Sequence, residues 1–350
     1  MTDFQLQITN WFRHNKRDLP WRNNPSPYKS WLSEIILQQT RVAQGLPYFN
    51  KFIHNYPDVE SFANATEDDL LLLWQGLGYY SRVRNMHTAA KQVITEFNGV
   101  FPNKFQDLKK LKGVGDYTAA AIASICAEEN VAVVDGNVYR VLSRFFNIDN
   151  PIDSTAGKKE FQNLAQELIK DCKQNGNYNQ GIMEIGALIC SPKAPNCDNC
   201  PINECCIAYS KSNFNLFPVK SKKIKVTNRY LNFLVIHDKN NYIIQQRIEK
   251  DIWQNLYQFP LVEYKNDSID EHYIRLLFKE LEGVTIEITN AETFKHKLSH
   301  QNITADFWEV KLDKINIDLW PNSIKIKKSE IIDFGIPKLI DNYLLSKNKK

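Results

Sequence analysis

Five of the seven cysteines fall between Cys190 and Cys206. Four of them, Cys190, Cys197, Cys200 and Cys206, have the spacing C-x6-C-x2-C-x5-C. A disulfide scaffold spreads its cysteines along a small secreted chain. Thiols crowded into short loops converge instead on one metal centre. This stretch is therefore expected to wrap an iron–sulfur cluster, which takes four thiolates, or a structural zinc, which accepts the same set. Cys205 beside Cys206 leaves the fourth ligand open between the two. Cys126 and Cys172 read as ordinary buried residues.

The rest of the chain changes texture after this loop. Before it, apolar residues recur at helical spacing, as in Tyr28, Trp31, Leu32, Ile35 and Ile36. Turn signals such as Tyr56-Pro57, Asn98-Gly99 and Asn150-Pro151 separate the segments. After Asn228, Tyr230–Ile236 and Tyr242–Ile244 read as strands around an Asp238–Asn241 turn, and Ile303–Val310 as another. His272–Leu281 reads as a helix. The expected organisation is an all-α domain over 1–208, with its cysteine loop at 190–206. A connector over 209–228 and an α+β domain over 229–346 follow.

Net charge is only +4, but its distribution is uneven. Up to Cys206 acids exceed bases by one, and from Arg229 onward 18 bases meet 18 acids. The excess sits in Ile207–Asn228, which carries five Lys and no acid. A solvated linker is the plain interpretation; in a nucleic-acid protein Lys220, Lys222, Lys223 and Lys225 would also reach phosphates. No apolar run approaches the roughly 20 residues of a spanning helix, and no signal-peptide core is visible. A soluble, monomeric, cytoplasmic protein is expected.

Three local patterns carry chemistry. Leu111-Lys112-Gly113-Val114-Gly115 lies between two amphipathic segments. Gly113 and Gly115 permit a tight turn, and amides there beside a helix N-terminus suit phosphate. Glu34, in Trp31–Thr40, falls on the border of an apolar helix face, where a carboxyl keeps its proton toward neutrality. The competing possibility is a solvated Glu paired with Lys29 or Arg41. Asp135 follows the run Val131–Val134 and precedes Gly136, so it reads as a helix N-cap held ionised by amides and dipole. One protonated and one ionised carboxyl suit cleavage of a glycosidic bond.

These motifs, in this order, resemble the helix-hairpin-helix DNA glycosylase superfamily, and within it the adenine DNA glycosylases of the MutY type. The resemblance rests on Leu19–Arg22, Trp31–Thr40, Gly76-Leu77-Gly78-Tyr79-Tyr80, Gly113–Tyr117, Val134–Val138, Asn179-Gln180 and the four cysteines. It is strong over residues 8 to 206. It implies a [4Fe–4S] cluster rather than zinc, and double-stranded DNA with adenine opposite 8-oxoguanine or guanine as the partner. It implies a base-excision repair enzyme of the nucleoid that flips adenine from the stack.

The resemblance also implies roles. Glu34 would protonate adenine at N7 and then place water. Asp135 would stabilise the positive sugar, by charge or through a transient covalent bond, and Asn137 would help hold acid and water. Arg17, Trp21, Arg22, Leu37 and Glu184 would line or support the base pocket. Gln39, Thr40 and Tyr79 would enter the duplex beside 8-oxoguanine. Bifunctional endonuclease III-type relatives carry a Schiff-base Lys where this chain has Tyr117, so strand cleavage is not expected, and Tyr117 would instead act in catalysis by hydrogen-bonding the reacting centre. Lys112 replaces the usual hairpin proline. Tyr139 replaces a Lys that traps DNA in some members.

The C-terminal part resembles the Nudix-like 8-oxoguanine recognition domain of the same family. Trp253–Pro260 is similar to its strand–turn signature, with Asn255 where glycine is common. His296-Lys297-Leu298-Ser299-His300 resembles its H-x-F-S-H loop, with Leu298 for Phe. Ser299, next to His300, would accept the N7–H that 8-oxoguanine has and guanine lacks. Phe278–Gly283 lacks the Nudix carboxylate pattern, so nucleotide pyrophosphate hydrolysis is not expected. Two readings compete: a mismatch glycosylase removing thymine or uracil, and a noncatalytic iron–sulfur DNA-binding protein.

Overall fold

The structure, a computed structural model, describes residues 3–221, 226–264, 269–279, 285–313 and 322–347. It divides into two compact units. One is Met1–Asn64 with Asn85–Lys222; the other is Ala65–Arg84 with Lys223–Lys350. The first unit runs past the expected boundary near 208 and takes in the connector as far as Lys222, while residues 65–84 go with the second. That segment is fastened within the second unit: Arg84 Nη1 donates to Gln254 O at 2.7 Å, and Ile336 N donates to Gln75 Oε1 at 3.2 Å.

The first unit is helical among the described residues. Ser26 caps the helix Pro27–Leu37, accepting from Lys29 N, and Pro27 stands where no amide is needed. Trp31, Leu32, Ile35 and Ile36 are buried on that helix. The hairpin joins the short helix Phe105–Leu108 to Asp116–Ala127. Gly113 has φ of +78°, and a Cβ there would lie 2.8 Å from Asn85 Cβ. Only glycine satisfies both conditions. The core includes Ile8, Val138, Leu142, Phe161, Ile182 and Ile185. It joins Asp3–Asn15, Gly136–Phe146, Thr155–Ile169 and Asn175–Leu188. Gly186 allows close approach, because a Cβ there would sit 2.6 Å from Asn137 Cβ.

The second unit carries strands β1 (Thr227–His237), β2 (Asn241–Gln246), β3 (Tyr257–Gln258), β4 (Leu261–Tyr264), β5 (Ile286–Lys297), β6 (Gln301–Leu312) and β7 (Ser323–Lys327). Their order is β3-β2-β1-β6-β5, with β4 on β1 and β7 on β2. Only β1 and β6 pair in parallel among these. Alternate residues of β1 and β6 face opposite ways. Leu234, Ile236, Trp308 and Val310 pack with Ile274 of the helix Glu271–Leu277. Phe233 and Phe307 stack, and Phe307 stacks on Tyr343 of the helix Lys338–Lys347, with centroids 4.1 Å apart.

The helix expected to reach Leu281 ends at Leu277 in the described residues. The absent Nudix carboxylates, at Glu280–Gly283, and Lys222, Lys223 and Lys225 lie outside them. Asn255 adopts φ of +67°. This is the left-handed region, which Asn tolerates better than most residues, and it explains Asn where glycine is common.

Candidate active site

In the helical unit a cavity of about 730 Å³ is lined by Glu34, Tyr117, Asp135 and Asn137. Arg17, Trp21, Arg22, Leu37, Thr40 and Glu184 also line it. Gln39 does not line it. It is exposed just beyond the helix end, with φ of +57°.

Glu34 bonds neither Lys29 nor Arg41. Its Oε2 accepts from Tyr117 Oη at 2.5 Å. Burial pushes Glu34 up to about 7; the Tyr117 hydrogen bond opposes the rise, and the charge of Asp135 adds to it. The Tyr117 hydroxyl also contacts Met183 Sδ at 3.6 Å.

Asp135 is the N-cap of Gly136–Phe146. Its Oδ1 accepts from Asn137 N at 2.9 Å and Val138 N at 2.7 Å, and its Oδ2 from Asn137 Nδ2 at 2.8 Å. Three donors favour the carboxylate. Burial nevertheless outweighs them and raises its pKa.

Glu184 receives two forks. Arg17 donates Nε and Nη2 at 2.8 and 2.7 Å, and Arg22 donates Nη1 and Nη2 at 3.0 and 2.9 Å. Burial alone would raise its pKa; the paired arginines overcome it and hold Glu184 down at about 2. Trp21 is buried and meets Phe49 edge-on at 5.0 Å.

Two residues that the sequence reading passed over frame the other side. Arg140 donates Nη2 to Asn137 Oδ1 at 2.8 Å and Nε to Cys190 O at 2.6 Å. It therefore ties the Asp135–Asn137 corner to the cysteine loop. Arg144, one turn later, donates to Ser191 O at 2.8 Å. The available signal was two arginines at i, i+4 on a helix whose neighbours Val141, Leu142 and Phe145 are all apolar.

In the cysteine loop, Cys200 N bonds Cys197 O and Cys206 N bonds Asn203 O, each at 3.0 Å. Successive three-residue turns return Cys197, Cys200 and Cys206 to one side. With Cys190 they line one small cavity, whereas Cys205 is exposed and outside it. Cys126 is half-buried beside Ser30, and Cys172 is buried.

The four sulfurs line one small space, and a donor set of four thiolates fits a multi-iron cluster, in which each thiolate ligates a different iron. Burial, with the neighbouring sulfurs, pushes the Cys200 thiol up to about 12.

The remaining predicted residues lie elsewhere. Gly113 and Gly115 are exposed at the hairpin. In the second unit Tyr79 is 46% exposed with φ of +48°. Its hydroxyl lies 2.6 Å from Ser299 Oγ. Ser299 and His300 form the exposed β5–β6 turn, and with Tyr79 they line a cavity of about 460 Å³.

Residues 32–171 match the HhH-GPD superfamily base excision DNA repair protein family, and 232–346 match the NUDIX domain. The chain is 37% identical to the adenine DNA glycosylase of Buchnera aphidicola subsp. Schizaphis graminum, over 97% of both chains. The chain belongs to the adenine DNA glycosylase family. The mouse family member is 40% identical over 60% of this chain and 42% of its own length. Among solved structures, a thermostable thymine-DNA glycosylase aligns with a TM-score of 0.54 and 27% identity, over 59% of this chain and 95% of that one. Family and fold together make the protein a DNA N-glycosylase of base excision repair, with a helical HhH-GPD domain followed by a Nudix-like domain. No helix among the described residues is long and apolar enough to cross a membrane.

Proposed function

We propose that the chain is a monofunctional adenine DNA glycosylase acting on adenine opposite 8-oxoguanine or guanine. The observation that carries this reading is the pair of carboxyls in one cavity, Glu34 titrating near neutrality and Asp135 addressed by three donors. Protonated Glu34 gives its proton to adenine N7, and the bond from C1′ to N9 breaks with its electron pair leaving on the base. Asp135 faces the positive sugar. Water then adds at C1′, and Glu34 takes the released proton. Asn137 orients Asp135 through two of its three hydrogen bonds. Ionised Glu184, both oxygens taken by Arg17 and Arg22, fixes those two arginines in the pocket wall, and Trp21 and Leu37 form apolar wall.

Tyr117 supplies no amine, so the product is an abasic site in an uncut strand. Ser299 accepts the N7–H of 8-oxoguanine. Tyr79 stacks in the duplex, and Gln39 and Thr40 enter beside the lesion. The amides around Gly113 and Gly115 hold phosphate. Cys190, Cys197, Cys200 and Cys206 would hold a [4Fe–4S] cluster, which would supply a fixed loop shape and a localised negative charge. The protein would act as a monomer on DNA of the cytoplasmic nucleoid.

Excision assays on A:8-oxoguanine and G:T duplexes, each with and without alkali, test substrate and lyase status together. Adenine release with strand breakage only after alkali is expected. The likeness to a thymine-DNA glycosylase makes G:T the informative rival, and release from G:T alone overturns the reading. Glu34→Gln and Asp135→Asn should each abolish excision while DNA binding persists; a noncatalytic binder would show no excision to abolish.

A further inference from the structure

The residues after the last cysteine read as a solvated connector, yet its first half is fastened to the helical unit. Asn213 Nδ2 donates to Asn147 Oδ1 at 3.1 Å, and Ile152 N donates to Val219 O at 3.0 Å. Ser221 donates through N and Oγ to Asp153 Oδ1 at 2.9 and 3.0 Å. Arg144 stands at the centre of this contact and is 2% exposed. Its Nε donates to Phe214 O at 3.0 Å and Phe217 O at 3.3 Å. Its Nη1 and Nη2 donate to Ser191 O and Pro192 O at 2.8 and 2.9 Å, and Nη1 lies 3.4 Å from Cys190 Sγ.

No carboxylate is among these partners. A buried guanidinium whose oxygen partners are all neutral carbonyls lacks a carboxylate counter-charge, and burying an unpaired charge is costly. The sulfur beside it is Cys190 Sγ, and holding a cluster would make that sulfur and its three neighbours thiolates, the negative charge this guanidinium lacks. One face of the guanidinium therefore grips the cysteine loop, and its Nε grips the connector.

We propose that Arg144 fastens the connector to the cysteine loop, so that filling the four-cysteine site and docking of residues 213–221 are thermodynamically linked. This inference rests on the cluster assignment proposed above. Linkage is reciprocal. Removing the cluster strips Arg144 of its counter-charge and loosens the connector. Loosening the connector weakens retention of the cluster. Loss of iron by oxidation or chelation is thereby transmitted to the segment that leads into the Nudix-like domain.

Amide hydrogen exchange of the intact protein, recorded with iron content, tests this. Chelator removal of iron should speed exchange at 213–221 by about tenfold relative to the helix Asp116–Ala127, and Arg144→Gln should do the same with iron still bound. Asp153→Ala cuts the Ser221 anchor without touching Arg144 or any cysteine. It should speed iron loss to a chelator by about threefold, and it decides the matter if Arg144→Gln fails to fold. Native protein without iron refutes the cluster assignment itself. Iron present, with exchange at 213–221 unchanged on its removal, overturns the linkage alone. So does a rise shared equally by Asp116–Ala127, or iron loss from Asp153→Ala at the unaltered rate.

Discussion

Replacing Tyr117 with Phe deletes one hydroxyl and keeps the ring. That hydroxyl donates to Glu34 Oε2 at 2.5 Å. Glu34 titrates at about 7, raised chiefly by burial, and the Tyr117 hydrogen bond is the strongest influence opposing that rise. The donor favours the ionised carboxylate, so its loss raises the pKa further. A hydrogen bond to a charged group contributes about 1.5–3 kcal/mol. One pKa unit corresponds to about 1.4 kcal/mol. The expected shift is therefore about one to two units. Glu34 must be protonated to act as acid, so excision by the unaltered enzyme should fall as pH rises through about 7. In Tyr117→Phe the fall should begin at higher pH. Single-turnover release of adenine opposite 8-oxoguanine, measured across the neutral range, reads this directly. An alkaline limb that stays in place, or moves to lower pH, refutes the argument that Tyr117 donates to the catalytic carboxylate.

Four further outcomes follow from the same geometry. The folded pKa of Glu34, about 7, lies above its ordinary value, so its contribution to stability is full below about 4.5 and is lost as pH rises through about 7. Glu34→Gln removes that loss and should be more stable than the parent at pH 8 by on the order of 1–3 kcal/mol, but not at pH 4, in denaturant titrations. Glu184 has the opposite sign: its stabilisation is present above about 4.5 and lost as pH falls toward about 2. Glu184→Gln leaves two guanidinium groups facing a neutral amide and should cost about 3 kcal/mol at pH 7, a deficit that vanishes in acid. Ser299→Ala should keep excision opposite guanine while losing about tenfold in preference for 8-oxoguanine, measured as a ratio of kcat/KM values. Cys197→Ala should abolish the brown colour and lower Tm; a colourless native protein containing zinc contradicts the cluster.

The parts of this fold legible in the sequence were those with local causes. The phase of Trp31, Leu32, Ile35 and Ile36 places Glu34 at the edge of a buried face, and the run ending at Val134 delivers Asp135 to a helix start. No local pattern could pair Glu34 with Tyr117, which lies 83 positions away; only the family resemblance pointed to that tyrosine. The local alternatives, Lys29 and Arg41, are nearer in sequence yet do not bond it. Arg140 and Arg144 were passed over because an arginine on an apolar helix face is readable only once its acceptors are known, and several of these lie about fifty positions away, in the loop after Ile189. Strand β5 escaped notice for a different reason. Its alternation is broken by a register shift between Asn290 and Glu292, so no single period-two pattern spans it. The parallel pairing of β1 with β6 joins residues more than 70 positions apart, and nothing local encodes it.

The division of labour between the two carboxyls follows from where each backbone element ends. Both are raised by burial in the cavity wall, so burial cannot be what separates their roles. Donor supply separates them. Asp135 caps a helix, and the free amides of that first turn, together with the Asn137 side chain, place three donors on its oxygens. Glu34 lies within its helix, where backbone amides are already committed to the preceding turn, and it receives one donor, from a tyrosine hydroxyl. A carboxyl with three donors stays anionic to lower pH than one with a single donor in comparable burial. The helix start therefore suits Asp135 to face positive charge, and the helix interior suits Glu34 to carry the proton. Exchanging the two residue types alone, as Glu34→Asp with Asp135→Glu, would shift both carboxyls out of reach of these donors and should not restore the pair.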